Sequence, residues 1–359
     1  MIVPNDSISL AERIGHSFGE LVLTLGYRCN MLCKHCFIGE KLNDHETVLS
    51  FEEAVQAIET AAKLKTIGAV AFVGGEPFVY YKLMLRLATY IYTHYRCPLN
   101  VTTNASWARS PNMTCRLLDP IYERGLRWLM VSLDQYHLEF GTLEQVANCL
   151  QRCFELGINT AAQIIRRVGS PREKDFRDAL SSHYNINVDK IKWIENPCSA
   201  IGNAKTMLRP RELEWHTDIP GGGCNAGEIL NIQPDGEIKP CCGAGLMSKR
   251  LSLGNAKSES VDQAVRRAEA DPLINSLIAE QGPRGLARVL VEAGRQDLVE
   301  RHAPFTDACH ACHSFLSDPE TLEVIEAQLK GREIVMLANR ILAVKSIEVM
   351  KRVHEYDEA

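Results

Sequence analysis

The stretch "LTLGYRCNMLCKHCFIGE", residues 23–40, sets Cys29, Cys33 and Cys36 in a C-x3-C-x2-C spacing. It follows the run "ELVLTLG" (20–26), whose apolar, β-branched character reads as a buried first strand. The three thiols therefore leave the carboxyl end of a strand, where barrel-type α/β folds gather their active sites. Thiolates are soft ligands that select iron–sulfur clusters or zinc. Four would close such a site. Three leave one metal position for a substrate or cofactor, as catalytic metal sites do. The alternative is a zinc site completed by a distant ligand, or loop cysteines with no shared role.

Working outward, the first ~200 residues alternate strand-like and helix-like patterns. Strands are predicted at 68–74, 99–104, 126–134, 158–166 and 189–196. Helices are predicted at 50–64, with Ser50 as N-cap, at 81–95, and at 142–157, ending on Gly157. Six βα units predict an α/β fold with a parallel sheet curled into a partial barrel. Near residue 197 the pattern changes. "ILNIQPDGEIKPCC" (229–242) reads as strand, Pro-Asp-Gly turn, strand. Residues 258–304 look helical and amphipathic, and 318–355 look like one or two closing helices. The expected organisation is an N-terminal segment (1–19), the barrel (20–215), a small hairpin-containing domain (216–317) and C-terminal helices (318–359).

The chain has 359 residues, of which 45% are hydrophobic and 24% charged, so a substantial core is expected and global disorder is not. A net charge of −5 gives no nucleic-acid footprint. No apolar run approaches the ~20 residues of a membrane span, and the N-terminus does not read as a secretory signal. The expectation is a soluble cytoplasmic protein without a nucleic-acid or membrane partner. Its thirteen cysteines fit metal-bound thiolates better than disulfides. Eight fall in three groups, 29/33/36, 224/241/242 and 309/312. Cys149 and Cys153 share one helix face, as core residues would.

The strand ends carry further signals. "GGEP" (Gly74, Gly75, Glu76, Pro77) ends the second strand, where glycines allow close backbone approach to a ligand. "TTN" ends the third with Thr103 and Asn104. "VSLD" ends the fourth with Ser132 and Asp134. Together with the three-cysteine loop these motifs resemble the radical SAM superfamily, with His35 in a slot that is usually aromatic and Phe37 just after. The resemblance implies a [4Fe–4S] cluster on Cys29, Cys33 and Cys36, with S-adenosylmethionine (SAM) on the open iron. In that family, reductive cleavage of SAM yields a 5′-deoxyadenosyl radical that takes a hydrogen atom from the substrate. It also implies that Phe37, the GGEP segment, Thr103, Asn104, Ser132 and Asp134 surround the cofactor. Arg166, ending the fifth strand, is a candidate for the SAM carboxylate. "AIGNAK" after the sixth strand weakly resembles an adenine-side motif of the family. His137 reads as an ordinary loop residue, with an active-site imidazole near Asp134 as the alternative.

Cys224, Cys241, Cys309 and Cys312 resemble the ligands of a twitch-type auxiliary domain, related to the longer SPASM domain, which implies a second [4Fe–4S] cluster. A structural zinc site from the same four thiols is the alternative. Cys242 would then be a free thiol near the active site, a candidate hydrogen donor in an epimerisation. Cys198 is a second candidate. The expected substrate is a ribosomally made peptide, with flavodoxin or ferredoxin as electron donor. Alternatives are peptide dehydrogenation or cross-linking, or a sugar or aminoglycoside substrate, with the auxiliary cluster accepting an electron. A non-catalytic iron–sulfur or zinc carrier is the rival class.

Overall fold

The computed structural model describes residues 18–220, 224, 227–279 and 282–330. The first seventeen residues and the expected helix beyond residue 330 lie outside the described residues.

Six parallel strands form the body of the sheet: β1 (Glu20–Thr24), β2 (Ala69–Val73), β3 (Leu99–Thr103), β4 (Leu126–Ser132), β5 (Asn159–Arg166) and β6 (Ile191–Pro197). Helices cross between them: α1 (Phe51–Ala61), α2 (Tyr81–His94), α3 (Pro111–Tyr122), α4 (Leu143–Leu156) and α5 (Glu173–Tyr184). Local chemistry starts and stops these helices. Ser50 and Glu53 form a capping box at α1, and Thr142 and Gln145 do the same at α4. Gly157 ends α4 in the left-handed conformation. Helices α3 and α5 complete the alternation but were not among the helices predicted from periodicity.

The hairpin supplies β7 (Ile229–Ile232) and β8 (Ile238–Lys239), paired antiparallel as expected. Its placement is less expected. Strand β7 pairs in parallel with β1, so the order is β6-β5-β4-β3-β2-β1-β7-β8 in one eight-stranded sheet. The predicted boundary at 215/216 thus falls between strands of the same sheet. Beyond it come α6 (Val261–Ala270), α7 (Pro272–Ala279), α8 (Arg284–Glu292), α9 (Gln296–His302), α10 (Ala308–Ser317) and α11 (Pro319–Leu329).

Strand periodicity separates two surfaces of the sheet. Leu21, Leu23 and Leu25 enter the main core with residues of the covering helices. Val22 instead joins Ala71, Ile229 and Val73 in a small separate cluster. Cys149 and Cys153 are fully enclosed in the main core, as their shared helix face predicted. On the same face of β1 as Val22, Thr24 Oγ1 donates to Asn231 Oδ1 at 2.9 Å. Gln233 Nε2 donates to the same oxygen, and Tyr27 Oη donates to Gln233 Oε1 at 3.1 Å. This buried polar network ties β1 and its loop to β7.

Candidate active site

The loop after β1 carries the three thiols, and its backbone is held from two sides. On one side lies the turn after β2. Gly75 N donates to Gly26 O at 2.9 Å, and Glu76 N to Arg28 O at 3.2 Å. A Cβ at Gly75 would stand 2.4 Å from the carbonyl oxygens of Tyr27 and Arg28, so only glycine fits there. On the other side lies the loop after β6. Asn203 Nδ2 donates to Cys33 O at 3.1 Å, and Asn203 N to Cys36 O at 3.0 Å. Gly202 has φ +56°, and a Cβ there would meet Phe37 O at 2.4 Å. The "AIGNAK" segment therefore acts on the cysteine loop through its backbone. Asn203 was not singled out in the sequence, although it sits inside that segment.

Cys29, Cys33 and Cys36 gather at a small apolar cluster that also contains Met31, Tyr136 and Cys198. Burial raises all three thiols, Cys29 to about 11. Thiols this basic stay protonated at neutral pH unless a metal displaces the proton. Asn104 Nδ2 approaches Cys29 Sγ at 3.7 Å and donates to Asn30 Oδ1 at 3.1 Å. A soft donor set of three, cradled by glycines, fits an iron–sulfur cluster with one open iron.

The carboxylates of the motif set face inward. Glu76 is 2% exposed. Its oxygens accept from Thr103 Oγ1 at 2.7 Å, Asn104 N at 2.8 Å and Phe78 N at 3.1 Å. Burial outweighs these donors and pushes the Glu76 carboxyl up to about 7. Thr103 Oγ1 also accepts from Trp107 Nε1, and the Trp107 ring stacks on Phe78. Pro77 starts the short helix that Glu76 caps. Glu76 thus locks the end of β3 to the turn after β2. Asp134 caps the turn Gln135–Leu138, accepting from Tyr136 N and His137 N, and from Ile165 N on β5. Its Oδ1 lies 2.9 Å from His137 Nδ1. Burial opposes ionisation of Asp134, but the His137 interaction prevails and the carboxyl stays low. Ser132 is half-buried at the end of β4. Arg166 pairs with Glu214, Nε lying 2.9 Å from Oε2. His137 therefore does stand beside Asp134, the alternative that the sequence reading set aside. The reading of Arg166 missed its carboxylate partner, 48 residues along the chain, which has no local sequence signal.

The second thiol set also assembles. Cys312 interacts electrostatically with Cys241, Cys309 and Cys224, and Cys242 with Cys309 and Cys224. Cys309 and Cys312 lie three residues apart on α10. Cys241 follows β8, and its sulfur accepts from Gly243 N at 3.3 Å. Burial pushes the Cys241 thiol up to about 12. Cys242 and Cys309 are exposed, while Cys312 is buried. Helix α10 is anchored to the loop after β6: Asp307 caps it, accepts from Ser199 Oγ, and Ala200 N donates to Thr306 Oγ1 at 3.0 Å. Cys198 is buried beside Tyr136 in the cluster under the first loop.

Parallel strands with a three-thiol loop after the first define a class of fold and site. Residues 23–180 match the radical SAM superfamily model. Over most of its length it is similar to YydG of Bacillus subtilis (strain 168), whose name assigns that protein to peptide biosynthesis. The two are 22% identical over 312 residues, 84% of this chain and 92% of YydG. GTP 3′,8-cyclase of Paenarthrobacter nicotinovorans is 27% identical over 134 residues, 37% of this chain and 36% of the cyclase. Among solved structures, anSMEcpe with bound AdoMet and Cp18Cys peptide gives a TM-score of 0.49 at 12% identity, over 89% of this chain and 99% of that one. Among the described residues no helix is long and apolar enough to cross a membrane.

Proposed function

We propose that the protein is a radical SAM enzyme that epimerises a residue in a ribosomally made peptide, with Cys242 as the hydrogen donor. The observation that carries the reading is the fifth cysteine of the second set. Four thiols, Cys224, Cys241, Cys309 and Cys312, suffice for an auxiliary [4Fe–4S] cluster. Cys242 is then surplus, exposed and adjacent to that group. The similarity to YydG across most of both chains supports a peptide as substrate.

When bound, the reduced first cluster and SAM supply the 5′-deoxyadenosyl radical that removes one hydrogen atom from a substrate carbon. Cys29, Cys33 and Cys36 would hold that cluster, with Asn203 and Asn104 fixing the loop. Gly74, Gly75, Thr103, Asn104 and Ser132, at the strand ends, and Phe37, in the thiol loop, would surround SAM. Cys242 returns a hydrogen atom to the opposite face of the substrate carbon. Its S–H bond breaks, a C–H bond forms, and a sulfur radical remains. One electron and one proton restore the thiol, the electron coming from a small carrier of the flavodoxin or ferredoxin kind.

The test is turnover of candidate precursor peptides in D2O with the anaerobically reconstituted enzyme. One solvent deuterium at an inverted α-carbon, lost in Cys242→Ala while 5′-deoxyadenosine still forms, is the expected result. A product lighter by two hydrogens with no deuterium at carbon would instead mean dehydrogenation, with the auxiliary cluster as electron acceptor.

A further inference from the structure

Within the site, three side chains converge more tightly than the role of a cluster ligand requires. A ligand atom from each of Cys33, His35 and His137 lies within 4.8 Å of the other two. The His35 ring packs against Tyr136, centroids 4.7 Å apart, and meets His137 edge-on at 5.0 Å. Its Nδ1 is buried and has no hydrogen-bond partner. A buried polar atom without a partner calls for an explanation, and a missing ion is one.

His137 is oriented as metal-binding histidines are. Its Nδ1 lies 2.9 Å from Asp134 Oδ1, which leaves Nε2 as the nitrogen available to an ion. Asp134 is itself fixed by the backbone N–H groups of Tyr136, His137 and Ile165. This is the carboxylate–histidine–metal arrangement that sets ring orientation and raises ligand basicity. One thiolate and two imidazoles with an open fourth position suit a tetrahedral ion of the zinc class.

We propose that Cys33, His35 and His137 form a mononuclear site for a divalent ion of the zinc class, which competes with the iron–sulfur cluster for Cys33. The ion and the cluster exclude one another because a single thiolate cannot serve both in its own geometry. The site uses neither Cys29 nor Cys36. It is independent of the substrate, so it stands or falls separately from the peptide reading.

The test uses the full-length, cluster-free protein under anaerobic conditions with Co2+ as probe. The second thiol set would also be open to cobalt, so the readout is the difference between wild type and variants. His35→Ala and His137→Ala should each weaken one equivalent of cobalt by roughly 10-fold or more, and Asp134→Asn by roughly 10–100-fold. Cys29→Ala and Cys36→Ala should retain that equivalent. His137→Gln, with far-UV circular dichroism, separates a lost ligand from a lost fold. In a second arm, zinc-preloaded wild type should take up less iron on reconstitution than zinc-free protein, and His137→Ala should remove the difference. The proposal is overturned if the histidine variants that fold bind as much cobalt as wild type. It is equally overturned if Cys29→Ala or Cys36→Ala loses the equivalent as Cys33→Ala does, since the ion would then sit on thiolates alone.

Discussion

Asn203 Nδ2 donates to the carbonyl of Cys33 at 3.1 Å, across 170 residues of chain. The contact holds the thiol loop from the far edge of the barrel, with Gly202 pressed against the same loop. Asn203→Ala should leave a backbone acceptor without its partner, at a cost of about 1–3 kcal/mol. Gly202→Ala adds a Cβ where none fits, at a positive φ. Both variants should keep their helical circular dichroism and lose iron from the first site after reconstitution. Iron per chain following gel filtration checks this, and undiminished iron in Gly202→Ala would refute the clamp.

Glu76 gives a pH dependence with a definite sign. Its folded carboxyl is raised to about 7 by burial, above the unfolded value near 4.3. Its contribution to stability is therefore full below about pH 4.3 and is lost as pH rises through about 7, with a slope of up to about 1.4 kcal/mol per pH unit. Urea unfolding of the cluster-free protein between pH 5 and 8 should show this slope in wild type. Glu76→Gln has no proton to release and should lack that component. Parallel slopes in the two proteins would remove the assignment.

The thirteen cysteines should divide by function. Cys149→Ala, in the core, should leave iron content unchanged and lower stability by about 1 kcal/mol for the small volume lost. Cys241→Ala should lower iron content without touching the first site. Cys242→Ala should leave iron content near wild type. If Cys242→Ala loses iron and Cys241→Ala does not, the two exchange roles.

The polar network under the hairpin should matter to folding. Asn231 Oδ1 accepts from both Thr24 and Gln233 in a buried position. Asn231→Leu strands the Thr24 hydroxyl and leaves Gln233 Nε2 only its contact to Thr24 Oγ1 at 3.3 Å, at a cost of about 1–3 kcal/mol. A fall in the urea midpoint of that order is expected. The double variant Thr24→Val/Asn231→Leu should bring no recovery, because Gln233 Nε2 then loses its second acceptor, Thr24 Oγ1, as well.

Much of the barrel was legible because its signals are local. Buried strand runs, Ser50 and Thr142 as caps, and Gly157 as a stop each act within a few residues. The thiol loop and the GGEP turn were legible for the same reason: each is one short segment at a strand end. What escaped are the partners that arrive from elsewhere. Arg166 reads as a free cation until Glu214, 48 residues further on, is placed beside it.

The sequence by itself determined that three thiols leave the end of a first parallel strand, that five more βα units follow, and that a hairpin carries Cys241. Those properties are carried by periodicity, caps and turn residues, which act over one element at a time. Only the tertiary structure decided that β7 pairs with β1, that Asn203 grips the thiol loop, and that Cys224, Cys241, Cys242, Cys309 and Cys312 gather at one place. Strand partners and side-chain contacts separated by a hundred residues or more are chosen by how the whole core packs, and no local pattern encodes that choice.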